Sequence, residues 1–220
     1  MKKIILMGAV MLFGLSNAQI AKGTSYLSGQ VEYYHSEKNE FETKRKDDVI
    51  RILPTAGYFV NNNLAVGLGI GYKSAVTKYN VSGSGFYNTI KIKDTDNAFV
   101  VAPFVRKYWT LSDKLFIFGQ LQVPLEFGKE KLDFNSEGGG GDPILSAPFT
   151  EKNNYTNIGV NIKPGLDYFL TKSWSVEATI GEFGYNTYKK DLEGAKRTND
   201  YKLGINLTSV TFGVKYVFAK

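Results

Sequence analysis

Nine charged residues stand at alternate positions inside otherwise apolar stretches: Glu32, Arg51, Lys73, Arg106, Glu126, Lys163, Asp167, Glu177 and Lys215. Period-two spacing puts such charges on one face of a strand and their large apolar neighbours on the other. Four are acids and five are bases, so the set is nearly neutral. Enclosed charges have to be paired and hydrogen-bonded, because an uncompensated buried ion is far too costly. The chemistry expected of them is a structural interior network of ion pairs and hydrogen bonds. The competing uses are a narrow ion path and a polar ligand site.

Other reactive side chains carry less. His35, the single histidine, is followed by Ser36 and Glu37. Neighbours along a strand point to opposite faces, so His35 and Ser36 do not form a nucleophile–base pair in any simple way. Asp94-Thr95-Asp96 and Asp142, beside a run of glycines, lack the spacing of a calcium loop. Lys44-Arg45-Lys46 reads as a solvated charge run, with contact to lipopolysaccharide phosphates as the alternative. There is no cysteine, which excludes disulfides, thiolate catalysis and cysteine metal sites. No catalytic residue, metal ligand or cofactor site is expected.

The elements that must hold these groups can be read from pattern. Lys2 and Lys3, an apolar run from Ile4 to Leu15 and the small residues Ser16-Asn17-Ala18 have the form of a cleaved secretory signal, which leaves residues 19–220 as one domain. No other window holds the roughly 18 apolar residues of a spanning helix. The formal charge of +6 includes Lys2 and Lys3, and the basic residues are scattered, which argues against nucleic acid as a partner.

Short polar connectors at 61–63, 111–114 and 171–173 alternate with longer polar segments at 36–47, 80–96, 129–153 and 187–200. Three short turns and four long loops join eight strands. In each strand the residues sort by parity. Leu64, Val66, Leu68, Ile70 and Tyr72 oppose Ala65, Gly67, Gly69, Gly71 and Lys73, for example, and Trp174, Val176 and Ala178 oppose Ser175 and Glu177. This is the pattern of an all-β, antiparallel, up-and-down transmembrane barrel with short periplasmic turns and long extracellular loops. Tyr58, Trp109, Tyr168 and Trp174, with Tyr216 and Phe218, lie beside the short turns or the terminus, where an aromatic girdle belongs. Pro54, Pro103, Pro124 and Pro164 fall inside strands, where each removes a ladder donor, so bulges are expected there. Parity also fails after Gly181 and is mixed at Asn206 and Thr208.

The chain closes on Thr211-Phe212-Gly213-Val214-Lys215-Tyr216-Val217-Phe218. Thr211, Gly213, Tyr216 and Phe218 match the assembly signal of outer-membrane barrels, followed here by a two-residue tail. With Val101-Ala102-Pro103-Phe104-Val105-Arg106-Lys107-Tyr108 and Lys163-Pro164-Gly165-Leu166-Asp167-Tyr168-Phe169, this resembles the outer membrane protein beta-barrel domain family, in its small OmpA/OmpX-like form, over residues 22–218. The resemblance implies insertion by the barrel-assembly machinery and no defined activity.

The expected role is structural or surface-interacting, through the extracellular loops and without catalysis. The expected surroundings are outer-membrane lipid and lipopolysaccharide, with an unidentified extracellular protein partner, for a monomer. The alternatives are a narrow channel, a lipid-modifying enzyme and a soluble periplasmic barrel. The mature chain should fractionate with the outer membrane and migrate differently on a gel before and after boiling. A mature protein that stays soluble without detergent would refute the barrel reading.

Overall fold

A computed structural model describes residues 19–82, 89–137, 147–202 and 210–218. The expected signal segment 1–18, the glycine run with Asp142, Asn206, Thr208 and the two-residue tail lie outside the described residues. Those residues form strands β1 (Ser25–Glu40), β2 (Thr43–Asn61), β3 (Leu64–Val81), β4 (Thr89–Thr110), β5 (Leu115–Gln122), β6 (Leu125–Glu137), β7 (Phe149–Phe169), β8 (Trp174–Ile180), β9 (Phe183–Lys190), β10 (Thr198–Lys202) and β11 (Val210–Phe218). All pairings are antiparallel. β1 to β4 pair in chain order. β5 and β6 both lie between β4 and β7, so they are one stave. β8 and β9 both pair with β7, and β10 and β11 pair with that same stave. β11 then pairs with β1, and the eight staves close into a ring.

Closure leaves each strand an inside and an outside, and the alternation sets which residues go where. Ile50, Ile52, Leu68, Ile70, Phe99, Leu121, Ile162 and Val214 are exposed on the outer face, while Thr55, Phe104, Arg106, Gln120, Gln122 and Lys215 are buried within.

Pro54, Pro103 and Pro124 sit in the sheet without the expected bulges. The register is the same on both sides of Pro54, with Ile52 opposite Tyr72 and Thr55 opposite Gly69. The donors missing at Pro103 and Pro124 fall in one short gap between β5 and β6. There the Val123 N–H donates to Pro103 O (3.0 Å) and the Gly159 N–H to Pro124 O (2.9 Å). Losing ladder bonds in register preserves both faces, whereas an extra residue would turn the remainder of the strand inside out. Of the four prolines only Pro164 has a bulge beside it, at Gly181-Glu182 on the neighbouring strand. Gly165 is opposite Thr179 but Ile162 is opposite Phe183, so one extra residue lies between β8 and β9. Gly181 takes a positive φ of 82°, the backbone that this kind of bulge requires. This explains the parity lost after Gly181 and turns Glu182 inward.

The polar segments differ from expectation in another way: much of their length is strand. β1 and β2 pair as far as Glu40 and Thr43, joined by Phe41-Glu42. β4 has 22 residues and β7 has 21, against about 9–11 needed to cross a bilayer. Above the apolar stripe both faces are polar, and cross-strand partners sustain the ladder. Glu37, opposite Lys46, accepts hydrogen bonds from both Lys44 (2.7 Å) and Lys46 (2.8 Å).

Inside, four aromatic rings each lie across a glycine on the neighbouring strand. The pairs are Tyr26 with Gly57, Phe104 with Gly67, Tyr155 with Gly128, and Phe118 with Gly165. A Cβ on Gly67 would come within 2.3 Å of the Phe104 ring and 2.4 Å of the Ala56 carbonyl oxygen. Gly67→Ala should therefore cost about 1–3 kcal/mol in urea unfolding of the folded barrel. Gly29 faces outward, and a Cβ there meets nothing within 4 Å. Gly29→Ala should be neutral or stabilising, and equal losses at the two positions would refute this packing account.

Candidate functional site

The site is the barrel lumen, which is built in three levels. At the end bearing the short turns, Gln19–Thr24 folds across the mouth. The Ile20 N–H donates to Asn63 Oδ1 (2.8 Å), the Asn63 N–H returns a bond to Ile20 O (3.1 Å), and the Gly23 N–H donates to Phe59 O (2.8 Å). Ile20 packs into a cluster with Tyr26, Phe59, Tyr108, Phe116 and Phe118. A cavity of about 570 Å3 lies at this mouth, bounded by Phe116, Phe169 and Val217.

Above this plug lies a dry charged layer. Arg106 reaches from β4 to Glu177 on β8, with 2.5 Å between Nη1 and Oε2. Glu177 also accepts from Ser28 Oγ (2.6 Å) and Gln30 Nε2 (3.2 Å) on β1. Arg106 Nε donates to Gln120 Oε1 (2.7 Å), and its guanidinium carbon sits 4.2 Å from the Phe118 ring centre. Lys215 on β11 pairs with Asp167 on β7 and donates to the Tyr108 hydroxyl at 3.3 Å. Asp167 and Glu177 are direct cross-strand neighbours, so two carboxylates share this level with two cations. All four charged groups are 0–1 % exposed. In that setting they are held by pairing and by donors such as Ser28 and Gln30, with little help from water.

The third level is wetter. Arg51 lies 3.4 Å from Glu32 and 3.8 Å from Glu126, Lys73 lies 2.7 Å from Asp96 and 3.9 Å from Glu126, and Lys163 lies 3.0 Å from Glu182. Arg51, Lys73, Glu126, Lys163 and Glu182, with Asn157 and Asn161, line a cavity of about 510 Å3. The Tyr155 hydroxyl donates to Asp96 (2.5 Å) and the Tyr188 hydroxyl to Glu130 (2.6 Å).

The nine alternating charges thus occupy two separate levels. Arg106, Asp167, Glu177 and Lys215 form the buried layer; Arg51, Lys73, Glu126 and Lys163 line the upper cavity, with Glu32 paired to Arg51. Sequence reasoning did not find Asp96 and Glu182 as partners. Asp96 follows the inward parity of Ala98 and Val100, a usable signal. Glu182 turns inward only because of the Gly181 bulge. Tyr58, Trp109, Tyr168 and Trp174 stand half-exposed on the outer face near the short turns. The Trp174 ring centre is 4.9 Å from that of Tyr216, which lies 5.1 Å from Phe218. In β11, Thr211 and Gly213 face inward and Tyr216 and Phe218 outward.

His35 Nδ1 lies 2.6 Å from Asp48 Oδ1, in an exposed pair across β1 and β2. Ser36 is opposite Asp47 and faces the other side of the sheet from His35. Ser36 is therefore not placed to use His35 as the base of a nucleophile relay. Nearby, Lys44 and then Lys46 hold the Glu37 carboxyl down to about 2. The sign follows from a depressed folded value: the benefit is present above the ordinary glutamate range and lost only as pH falls through about 2. Among the described residues, no group of three or more histidine, aspartate or glutamate side chains could hold a metal ion.

A closed antiparallel ring with an apolar exterior, a charged interior and one end built of short turns defines a small outer-membrane-type β-barrel. The model of the outer membrane protein beta-barrel domain matches residues 5–218, and the chain belongs to that family. Among solved structures it is similar to the N-terminal β-barrel domain of Pseudomonas aeruginosa OprF (12 % identity, 90 % of this chain and 100 % of that chain, TM-score 0.34). Ail, the attachment invasion locus protein of Yersinia pestis, matches at 14 % identity over 90 % of this chain and 99 % of its own (TM-score 0.37). Neisserial surface protein A matches at 17 % over 90 % and 98 % (TM-score 0.37). No curated protein sequence matches the chain.

Removing the Arg106 side chain leaves Glu177 buried without its cation. Arg106→Ala should cost about 3–5 kcal/mol in reversible unfolding of the detergent-folded barrel. If Arg106→Ala unfolds with the parent, Arg106 does not hold the network.

Proposed function

We propose that this protein is a closed, non-conducting outer-membrane barrel whose role is carried by its tall extracellular end, without catalysis. The observation that carries the reading is the filled middle of the lumen. Tyr26, Phe59, Arg106, Tyr108, Phe118 and Lys215 are each 0–1 % exposed, and they lie between the two cavities. An eight-strand ring has room inside for side chains and little else. The length of β4, β6 and β7 beyond the apolar stripe favours an interaction role, because surface built from extended strands and their connections is where recognition is placed. The His35 geometry supports the absence of catalysis. The closing strand serves as the signal to the barrel-assembly machinery, and the outward aromatics near the short turns serve as the periplasmic girdle.

Purified protein in a planar bilayer should show no ion conductance above the lipid baseline. Steady single-channel currents from the parent would overturn the closed-barrel reading. Knocking out the protein and scoring envelope integrity and adhesion separately tests the surface role.

A further inference from the structure

On β4 and β6, beyond the apolar stripe, the alternation puts the lysines on the outer face and most of the acids on the inner one. On β4, Lys91 and Lys93 continue the outward parity of Phe99, while Asp94 and Asp96 continue the inward parity of Ala98. On β6, Lys129 and Lys131 continue the outward parity of Phe127, and Glu126 and Glu130 face the lumen. Asp96 and Glu130 accept from tyrosine hydroxyls and Asp96 and Glu126 lie beside Lys73, while the lysines of β4 and β6 stand on the outer face.

The register then lines the outward lysines up. Lys46 is directly opposite Lys78, and Lys78 is directly opposite Lys93. Lys131 is directly opposite Lys152. Like charges placed directly across a ladder repel and weaken a sheet. The outward carboxylates nearby are already engaged. Glu37 is shared by Lys44 and Lys46, Asp48 lies 2.6 Å from His35, and Asp133, directly opposite Lys93, lies 2.7 Å from Lys131. Lys78, between two lysines, has no carboxylate within 4.0 Å among the described residues. A local conflict of this kind, in a sheet otherwise consistent with its sequence, marks a place where something outside the chain completes the structure.

The position says what that is. Ile52, Tyr72, Phe99 and Phe127 form one cross-strand row of the apolar stripe. The outward lysines of those strands lie two to eight residues further along them, which at ~3.3 Å per residue and a tilt of about 35–45° is roughly 5–20 Å further from the hydrocarbon. We infer that this lysine face binds the phosphate groups of the phosphorylated glycolipid of the outer leaflet, lipopolysaccharide. Ammonium groups on flexible stems suit phosphates arriving from a fluid layer, since they bind as point charges without a fixed fork geometry. Bridging phosphates would cancel the Lys46–Lys78–Lys93 repulsion. The inference takes from the proposed function only that the tall strands face outward.

The test uses the full mature chain folded in neutral detergent, with melting followed by boil-dependent gel mobility. Bisphosphorylated lipid A should raise the melting temperature, and enzymatically dephosphorylated lipid A should not. Lys78→Gln should melt above the parent without lipid, because it relieves repulsion, and should gain less from lipid A. The K46Q/K78Q/K93Q variant should bind lipid A about a hundredfold more weakly, at roughly fivefold per lysine. A control with equal charge removed near the short turns, K107Q/K114Q/K172Q, should keep parental binding. Equal stabilisation by both lipid A forms, or by dextran sulfate as a soluble polyanion, would overturn the assignment, as would equal losses in the two triple variants. Conductance measured on the same preparations separates the two readings: a conducting parent that still selects phosphorylated lipid A sinks only the closed-barrel proposal.

Discussion

A chain that crosses hydrocarbon as strands must pair its backbone N–H and C=O groups with other strands, because no water is there to take their place. That constraint requires β11 to meet β1, and much else follows from it. A closed ring has one inside and one outside, so a single alternation serves eight staves. A ring of eight is narrow, so the inside must be filled by side chains. The same need explains how the prolines are tolerated. Pro103 and Pro124 lose their donors at one shared gap, where nearby backbone donors restore two bonds and the register survives.

Filling the interior uses two devices suited to its two environments. Large rings lie over glycines on the neighbouring strand, so that small and large residues interlock at close range. In the middle, two carboxylates, an arginine and a lysine neutralise one another within a frame of hydroxyls and carboxamides. Hydrophobic filler would occupy the same space, but charges carry positional information. Arg106 faces Glu177 only in this register, and a one-residue slip of either strand would send its charge into lipid. The buried layer therefore helps to specify one closure among several as well as to stabilise it.

Outside the hydrocarbon the constraint relaxes, yet β1 to β4 continue far beyond it. There the strands are held by neighbours on both faces: His35 with Asp48, Lys44 and Lys46 with Glu37, Tyr155 with Asp96. On β3, β4 and β6 the outward Lys78, Lys93, Lys129 and Lys131 give this upper barrel a lysine-rich outer face around an interior of paired charges.

Much of the architecture was legible in the chain because its period is two and its faces meet solvents of opposite character. The eight-stave count, the inside and outside of each stave, the short turns and the inward charges Arg106, Asp167, Glu177 and Lys215 can be read from alternation alone. Alternation is a property of a single strand, however, and partners belong to pairs of strands. Whether Arg106 meets Glu177 or Asp167, whether Lys73 meets Asp96, and that three outward lysines fall in line across β2, β3 and β4 depend on register, which is set when the ring closes. The bulge at Gly181 was visible only as a loss of parity, and its effect on Glu182 needed the opposing strand. The polar segments misled for a related reason: polarity on both faces looks like loop in one dimension, and becomes sheet when a charged neighbour stands across each residue. The sequence by itself determined which face of each stave turns to lipid, because burial answers to residue type. The tertiary structure alone decided which charges are paired, because pairing answers to distance.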